Sequence, residues 1–336
     1  MAKKQSRSKG MKMQPAITEL SFKVPSGGGS AADERNYIDT ARELSKINRR
    51  LYSQSRMYGY QGLTFIWRAA PTNGAGQTLT TIECTVKTAG NTWIVQNAYV
   101  KGHALWNQMQ SLVLDDNPSV KGTWHDFKVL LTHAQTNARS ISVLDGAGNP
   151  VTAGEWIVSQ FVLPQHEVDP TTGEPLAAVE CTTALIGVDS TSGSVRSLVK
   201  AYQESRAVVS APGPIVPAAF SDSFYTILTD SGSQEPELAQ VIEDENDMPP
   251  YDRDNFPGGD TNSPVPIPVG FAAISQSEVD GRVGGFVAPC GLLEVTIVGR
   301  DQDGNQFPVA DMPEIELLLS VAPGSYKGVA SIPMGQ

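Results

Sequence analysis

Residues 60–87 read YQGLTFIWRAAPTNGAGQTLTTIECTVK, and their reading decides the fold class. Two runs rich in threonine, β-branched and aromatic residues flank PTNGAG (71–76). The pattern predicts two strands joined as a hairpin. Working outward, similar runs occur at ITELSFKV (17–24), WHDFKVLLT (124–132), ARSISVLD (138–145), EWIVSQFVLP (155–164) and LAAVECTTALIG (176–187). They recur at FYTILTD (224–230), VPIPVGFAAIS (265–275), VGGFVAPCGLLEVTIVG (283–299) and IELLLSVA (315–322). Helical spacing of apolar residues is confined to 37–52, 92–114 and 197–209.

Strands do not alternate regularly with helices, which disfavours a doubly wound sheet, and no fixed short period suggests a propeller or solenoid. With 31 glycines, 23 prolines and only 18% charged residues, the chain reads as a turn-rich β protein. An antiparallel sandwich or jelly roll with helical insertions fits best. No apolar run reaches the roughly 18 residues of a membrane span. The start, MAKKQSRSKGMKMQP, has the basic region of a signal peptide without its apolar core, so export by that route is not expected.

Catalytic signatures are missing from the sequence. His103, His125, His133 and His166 form no metal-binding pair, and neither a nucleophile elbow nor a phosphate-binding glycine loop occurs. Cys84, Cys181 and Cys290 stand about a hundred residues apart and read as buried free thiols. Two segments offer hard oxygen ligands. The loop 231–264 carries eight acids from Glu235 to Asp254, and DQDGN (301–305) resembles the start of a calcium loop. DQDGN has Met312 where such a loop needs glutamate, so a hairpin turn explains it better. No enzyme activity, cofactor or metal ligand is expected.

Charge is divided along the chain. Residues 1–60 hold 12 Lys/Arg and 5 Asp/Glu, a net of +7; the remainder, at −18, brings the total to −11. Lys3, Lys4, Arg7, Lys9 and Lys12 form a basic arm with no acid among them. In YIDTARELSKINRRLY (37–52), capped by Asn36 or Asp33, the residues Ile38, Ala41, Leu44, Ile47 (or Asn48) and Leu51 make one stripe. Arg42, Lys46, Arg49 and Arg50 lie along an adjacent one. That cationic stripe is either an ordinary solvated face or, with the arm, a contact set for phosphates. Tyr52, Tyr58 and Tyr60 nearby are either core residues or platforms for single-stranded bases.

A basic arm, a short strand, an arginine-bearing helix and an acidic β-rich body together resemble the jelly-roll major capsid proteins of small icosahedral viruses. Segments such as YIDTARELSKINRRLYSQ, GTWHDFKVLL and VAPCGLLEV carry the likeness. The resemblance implies a mainly β viral jelly roll with helical insertions, with two barrels (a double jelly roll) favoured over one elaborated barrel. It divides the chain into a basic arm and linker (1–30), a helix and first barrel (31–209), and a second barrel or continuation of the sandwich (210–336) bearing the acidic loop. The implied function is self-assembly, as trimers or pentamers in an icosahedral shell, around a viral genome of single-stranded DNA. Lys3 to Lys12 with Arg42, Lys46, Arg49 and Arg50 would face that genome, inside a virion assembled in the host cytoplasm or nucleus. The competing reading is a jelly-roll carbohydrate-binding or virion spike protein using Trp93, Trp106, Trp124 or Trp156 to stack on sugars.

Overall fold

A computed structural model describes residues 15–24, 35–67, 72–73, 76–122, 124–136, 139–152, 154–163, 171, 179–192, 194–204 and 265–334. In chain order the elements begin with β1 (Glu19–Val24), β2 (Arg35–Asp39), α1 (Thr40–Asn48), β3 (Met57–Ile66) and β4 (Leu79–Thr88). There follow α2 (Trp93–Asp116), β5 (Arg139–Ser140), β6 (Gln160–Leu163), β7 (Val179–Ala184), β8 (Val195–Ser197) and α3 (Leu198–Glu204). The last set is β9 (Ile267–Ser275), β10 (Asp280–Val283), β11 (Phe286–Ala288), β12 (Leu292–Asp301), β13 (Ile315–Val321), β14 (Pro323–Tyr326) and β15 (Ser331–Ile332).

The protein is mainly β, and its sheets curl into a half-barrel. One sheet runs β1-β13-β3-β10, with β11 and β15 also paired to β3. The other runs β5-β2-β12-β4-β9. Within each the pairs are antiparallel, except the short parallel contact of β2 with β5. Alternation decides what lies between the sheets. Leu20, Phe22, Leu63, Phe65, Leu317 and Leu319 point inward from the first sheet, and Ile38, Ile82, Cys84, Val86, Val295 and Ile297 meet them from the second in one continuous core. Burial pushes the Cys84 thiol up to about 12, so it is an inert apolar filler.

The runs at 60–69 and 77–87 are both strands, but they do not form a hairpin. β3 lies in the first sheet and β4 in the second, and among the described residues between them there is an isolated Thr72–Thr78 bridge with Asn73 and Gln77 hydrogen-bonded inside it. Gly62 sits where β3 carries one extra residue against β13. Its φ is +151°, and a Cβ there would sit 2.5 Å from the Val283 carbonyl oxygen. Opposite it the partner strand breaks between β10 and β11, and the β13 register shifts at Ser320/Val321.

The expected join around 210–223 lies outside the described residues. The two sheets nevertheless draw strands from both sides of it: β12 sits between β2 and β4, and β13 between β1 and β3. Between β4 and β9 the chain departs to build α2, α3 and a three-stranded sheet, β6-β7-β8. A second core forms here. Tyr37 and Leu292, on the outer face of the second sheet, pack with Tyr99, Trp106, Phe127, Leu131 and Leu185 of the excursion. The second sheet is therefore covered on both faces at β2 and β12, which explains the unbroken burial of Leu292–Val295.

WHDFKVLLT has the expected alternation, with Phe127, Val129 and Leu131 buried, yet it is extended chain rather than a ladder strand. Side chains answer its backbone: the Lys128 amide donates to Ser159 Oγ at 2.9 Å and the Val129 amide to Gln54 Oε1 at 2.7 Å. The helix expected at 92–114 occurs as α2, and the first part of that expected at 197–209 as α3; residues 205–209 lie outside the described residues.

Candidate nucleic-acid interface

The stretch 37–52 is a strand followed by a helix, not one helix. Tyr37–Asp39 pair with β12, because Tyr37 and Ile38 bury on opposite faces of the sheet. The N-cap is consequently Asp39, whose Oδ1 accepts the Arg42 amide at 3.2 Å, rather than Asn36 or Asp33. Ala41 and Leu44 anchor α1 to the core. Arg49 closes it in the left-handed conformation at φ 52°.

The four cations of this stretch divide into two pairs. Glu43 is fully buried and takes Arg42 Nε at 2.5 Å and Lys46 Nζ at 3.0 Å. Its Oε2 also accepts the Val143 amide at 2.8 Å, while Arg42 donates to the Ile141 carbonyl and Lys46 to Ser142 Oγ. The Lys46 side chain is only 6% exposed, and burial lowers its pKa against the pull of Glu43. Arg42 and Lys46 thus tie α1 to the segment 141–143; they do not form an open stripe with Arg49 and Arg50.

Arg49 and Arg50, by contrast, are exposed. They stand where β1 begins. The Asn48 amide clamps Ile17, accepting its N–H at 2.7 Å and donating to its carbonyl at 3.0 Å, and Arg50 donates to the Pro15 carbonyl at 3.1 Å. A further cation joins from the far end of the chain. Lys327 donates to the Leu51 carbonyl and lies 5.0 and 5.8 Å from the ring centroids of Tyr326 and Tyr52. The basic residues Lys3, Lys4, Arg7, Lys9 and Lys12 lie outside the described residues, but the chain that carries them joins the body at this corner, at Pro15. Lys327 had no visible signal in the sequence, since only the fold brings SYKG (325–328) to the end of α1.

Tyr52, Tyr58 and Tyr60 are core residues, at 0, 0 and 5% exposure, so they offer no platform for bases. The Tyr58 hydroxyl donates to the Ser53 carbonyl, Tyr52 to that of Lys327, and Tyr60 shares a hydrogen bond with Thr40. Among the described residues, Arg49, Arg50 and Lys327 remain at this corner, cations whose charge suits phosphates.

The tryptophans are largely engaged in packing. Trp106 is buried in the second core. Trp124 and Trp156 are half-buried and flank Lys128, whose Nζ lies 4.2 and 5.1 Å from their ring centroids. The Trp156 indole donates to Asp39 Oδ2 at 3.0 Å, where Gln54 also donates. Trp93 is half-buried against the second core.

DQDGN is a turn. Asp301 Oδ1 accepts the amides of Asp303 and Asn305, Oδ2 accepts Gln77, and an Arg300–Gln306 bridge closes it. DGAGN (145–149) repeats the geometry, with Asp145 accepting the amides of Ala147 and Asn149 and thereby lowering its pKa. The acidic loop 231–264 lies outside the described residues. Cys84, Cys181 and Cys290 are free and buried. Among the described residues no group of three or more His, Cys, Asp or Glu side chains is placed to hold a metal, and no helix is long and apolar enough to cross a membrane. Comparison with known proteins finds no matching family model, curated protein or solved structure.

Proposed function

We propose that this chain is a structural, shell-forming protein with one jelly-roll barrel, and that its basic corner and arm contact an enclosed nucleic acid. The observation that carries the reading is strand order. Taken in chain order, β1, β2, β3, β4, β9, β10, β12 and β13 are eight strands. The first sheet has the first, eighth, third and sixth as neighbours, and the second has the second, seventh, fourth and fifth. We read that interleaving as the double Greek key of a jelly roll, an architecture used by viral capsid and lectin domains. In this reading one barrel uses all eight strands, and residues 89–266 stand between its fourth and fifth in the sequence.

Between those two uses, the chemistry favours the shell. The chain that carries the arm's five cations enters the described body at Pro15, beside Arg49, Arg50 and Lys327, in a protein whose remainder is strongly acidic. A shell needs such an asymmetry, attracting nucleic acid on one side while staying soluble on the other. The sugar-binding alternative would need open aromatic faces, and Trp106, Trp124 and Trp156 spend theirs on packing and on Lys128. The partner proposed is further copies of the chain, as trimers or pentamers, around a single-stranded genome in a virion.

Negative-stain electron microscopy of the purified protein, paired with its absorbance ratio at 260 and 280 nm, tests this directly. Closed particles with excess absorbance at 260 nm are expected, and deleting residues 1–14 should lower the ratio. Dispersed monomers at high concentration with a protein-like ratio would overturn the reading.

A further inference from the structure

Helix α2 changes character halfway along. Its first half packs Ile94, Val95, Ala98, Tyr99, Gly102 and Trp106 into the second core. Its second half leaves that core. Leu105, Leu112 and Val113 are 49, 65 and 49% exposed, and Met109 is half-buried between them. Positions 105, 109, 112 and 113 share one face of a helix. A solvated helix normally carries charges on its free face, yet from Gly102 to Leu114 there is no Asp, Glu, Lys or Arg. An exposed apolar face of this kind marks an interaction site.

The charges at its ends select the occupant. Lys101 stands before the uncharged stretch, and Asp115 and Asp116 close it. Lys101 also lies 5.7 Å from the Tyr202 ring centroid, which holds its stem on the body. Let a second α2 lie antiparallel across a two-fold axis at Met109. Residues equally far on either side of Met109 then face each other, so Leu105 of each copy meets Val113 of the other. The same operation brings Lys101 of each copy beside Asp116 of its partner, at both ends. A parallel arrangement would instead set lysine against lysine and acid against acid. The face is thus complementary to itself in the antiparallel sense, the property of an isologous contact.

We propose that the C-terminal half of α2 is a two-fold contact between copies of this chain. The contact deepens the shell reading by naming one of its subunit interfaces, but it is tested on free subunits and does not need a closed shell.

The experiment uses the full chain. Met109→Cys should form a disulfide-linked dimer under mild oxidation, because position 109 meets itself on the axis. Asn107→Cys, on the opposite face, should not. The native cysteines are buried and give little background. Sedimentation velocity adds the charge test: Lys101→Glu should weaken self-association at least tenfold, and Lys101→Glu combined with Asp115→Lys and Asp116→Lys should restore it. Lys101, Asp115 and Asp116 are all exposed, so these variants leave folding intact. Equal cross-linking at 107 and 109, or indifference to charge reversal, overturns the contact and leaves the face to another part of the chain or a different partner. Shells that assemble unchanged from Lys101→Glu would overturn this contact and spare the shell reading. Cross-linked dimers that never close into particles would do the reverse.

Discussion

Arg42 and Lys46 stand on the same short helix that ends at Arg49 and Arg50, and they carry the same charge. Their fates differ completely. The first two share one buried carboxylate, Glu43, and lock α1 to residues 141–143; the second two are exposed where the basic arm joins the body. Helical spacing puts all four near one another in a projection. It says nothing about where a glutamate one residue away turns its carboxylate. The difference teaches that a cationic stripe becomes an interface only where the fold leaves it without an internal anion.

The comparison breaks most visibly at Glu43. Glu43→Gln leaves two poorly solvated cations without their counter-charge, and should cost about 3–5 kcal/mol of stability in urea unfolding. A loss below about 1 kcal/mol would mean that Arg42 and Lys46 swing outward at little cost, which would return them to the proposed nucleic-acid surface.

Binding to single-stranded DNA sharpens the other half. Deleting residues 1–14 removes five cations, and should lower the slope of log affinity against log salt by roughly 3 to 4. Arg49→Ala with Arg50→Ala should lower it by about 1 to 1.5, with stability changed by less than about 0.5 kcal/mol. Equal slopes for the double variant and the parent protein would remove this corner from the interface. Asn48→Ala tests the clamp between them. It loses the paired hydrogen bonds to Ile17, and should cost about 1–2 kcal/mol by thermal or urea melting while leaving the salt slope of the full arm intact.

The strands were legible in the sequence where one face is buried and period two survives, as in β1, β4 and β13. Their partners were not. PTNGAG has the residues of a tight hairpin, but β3 and β4 each pair with strands from the distant C-terminal third, in two different sheets. Residues 37–39 misled for a related reason. Tyr37 and Ile38 fit a helical stripe as well as a strand, and only β12, some 250 residues away, decides between them. At the corner, Arg49 and Arg50 were readable as cations, while Lys327 and the Asn48 clamp depend on contacts that local pattern does not encode.

The smallest effect expected concerns Asp39, at the other end of α1. Its carboxylate is buried among Gln54, Trp156 and the Arg42 amide, within electrostatic reach of Lys128, and burial raises its pKa although Arg42 and the hydrogen bonds pull it down. The folded chain therefore holds this proton more tightly than the unfolded chain does. Asp39 contributes most to stability below its unfolded pKa, and that contribution fades as pH rises through the higher folded value. Asp39→Asn keeps the Oδ1 acceptor for the Arg42 amide but no longer titrates. The stability of the parent protein relative to Asp39→Asn should accordingly rise on acidification, in urea unfolding followed from neutral pH downwards. The opposite slope would mean that the ionised carboxylate is the favoured form, held by Arg42 and Lys128. The start of α1 would then resemble its Glu43 network, with charge retained in the interior by pairing, rather than a site where burial favours the neutral acid.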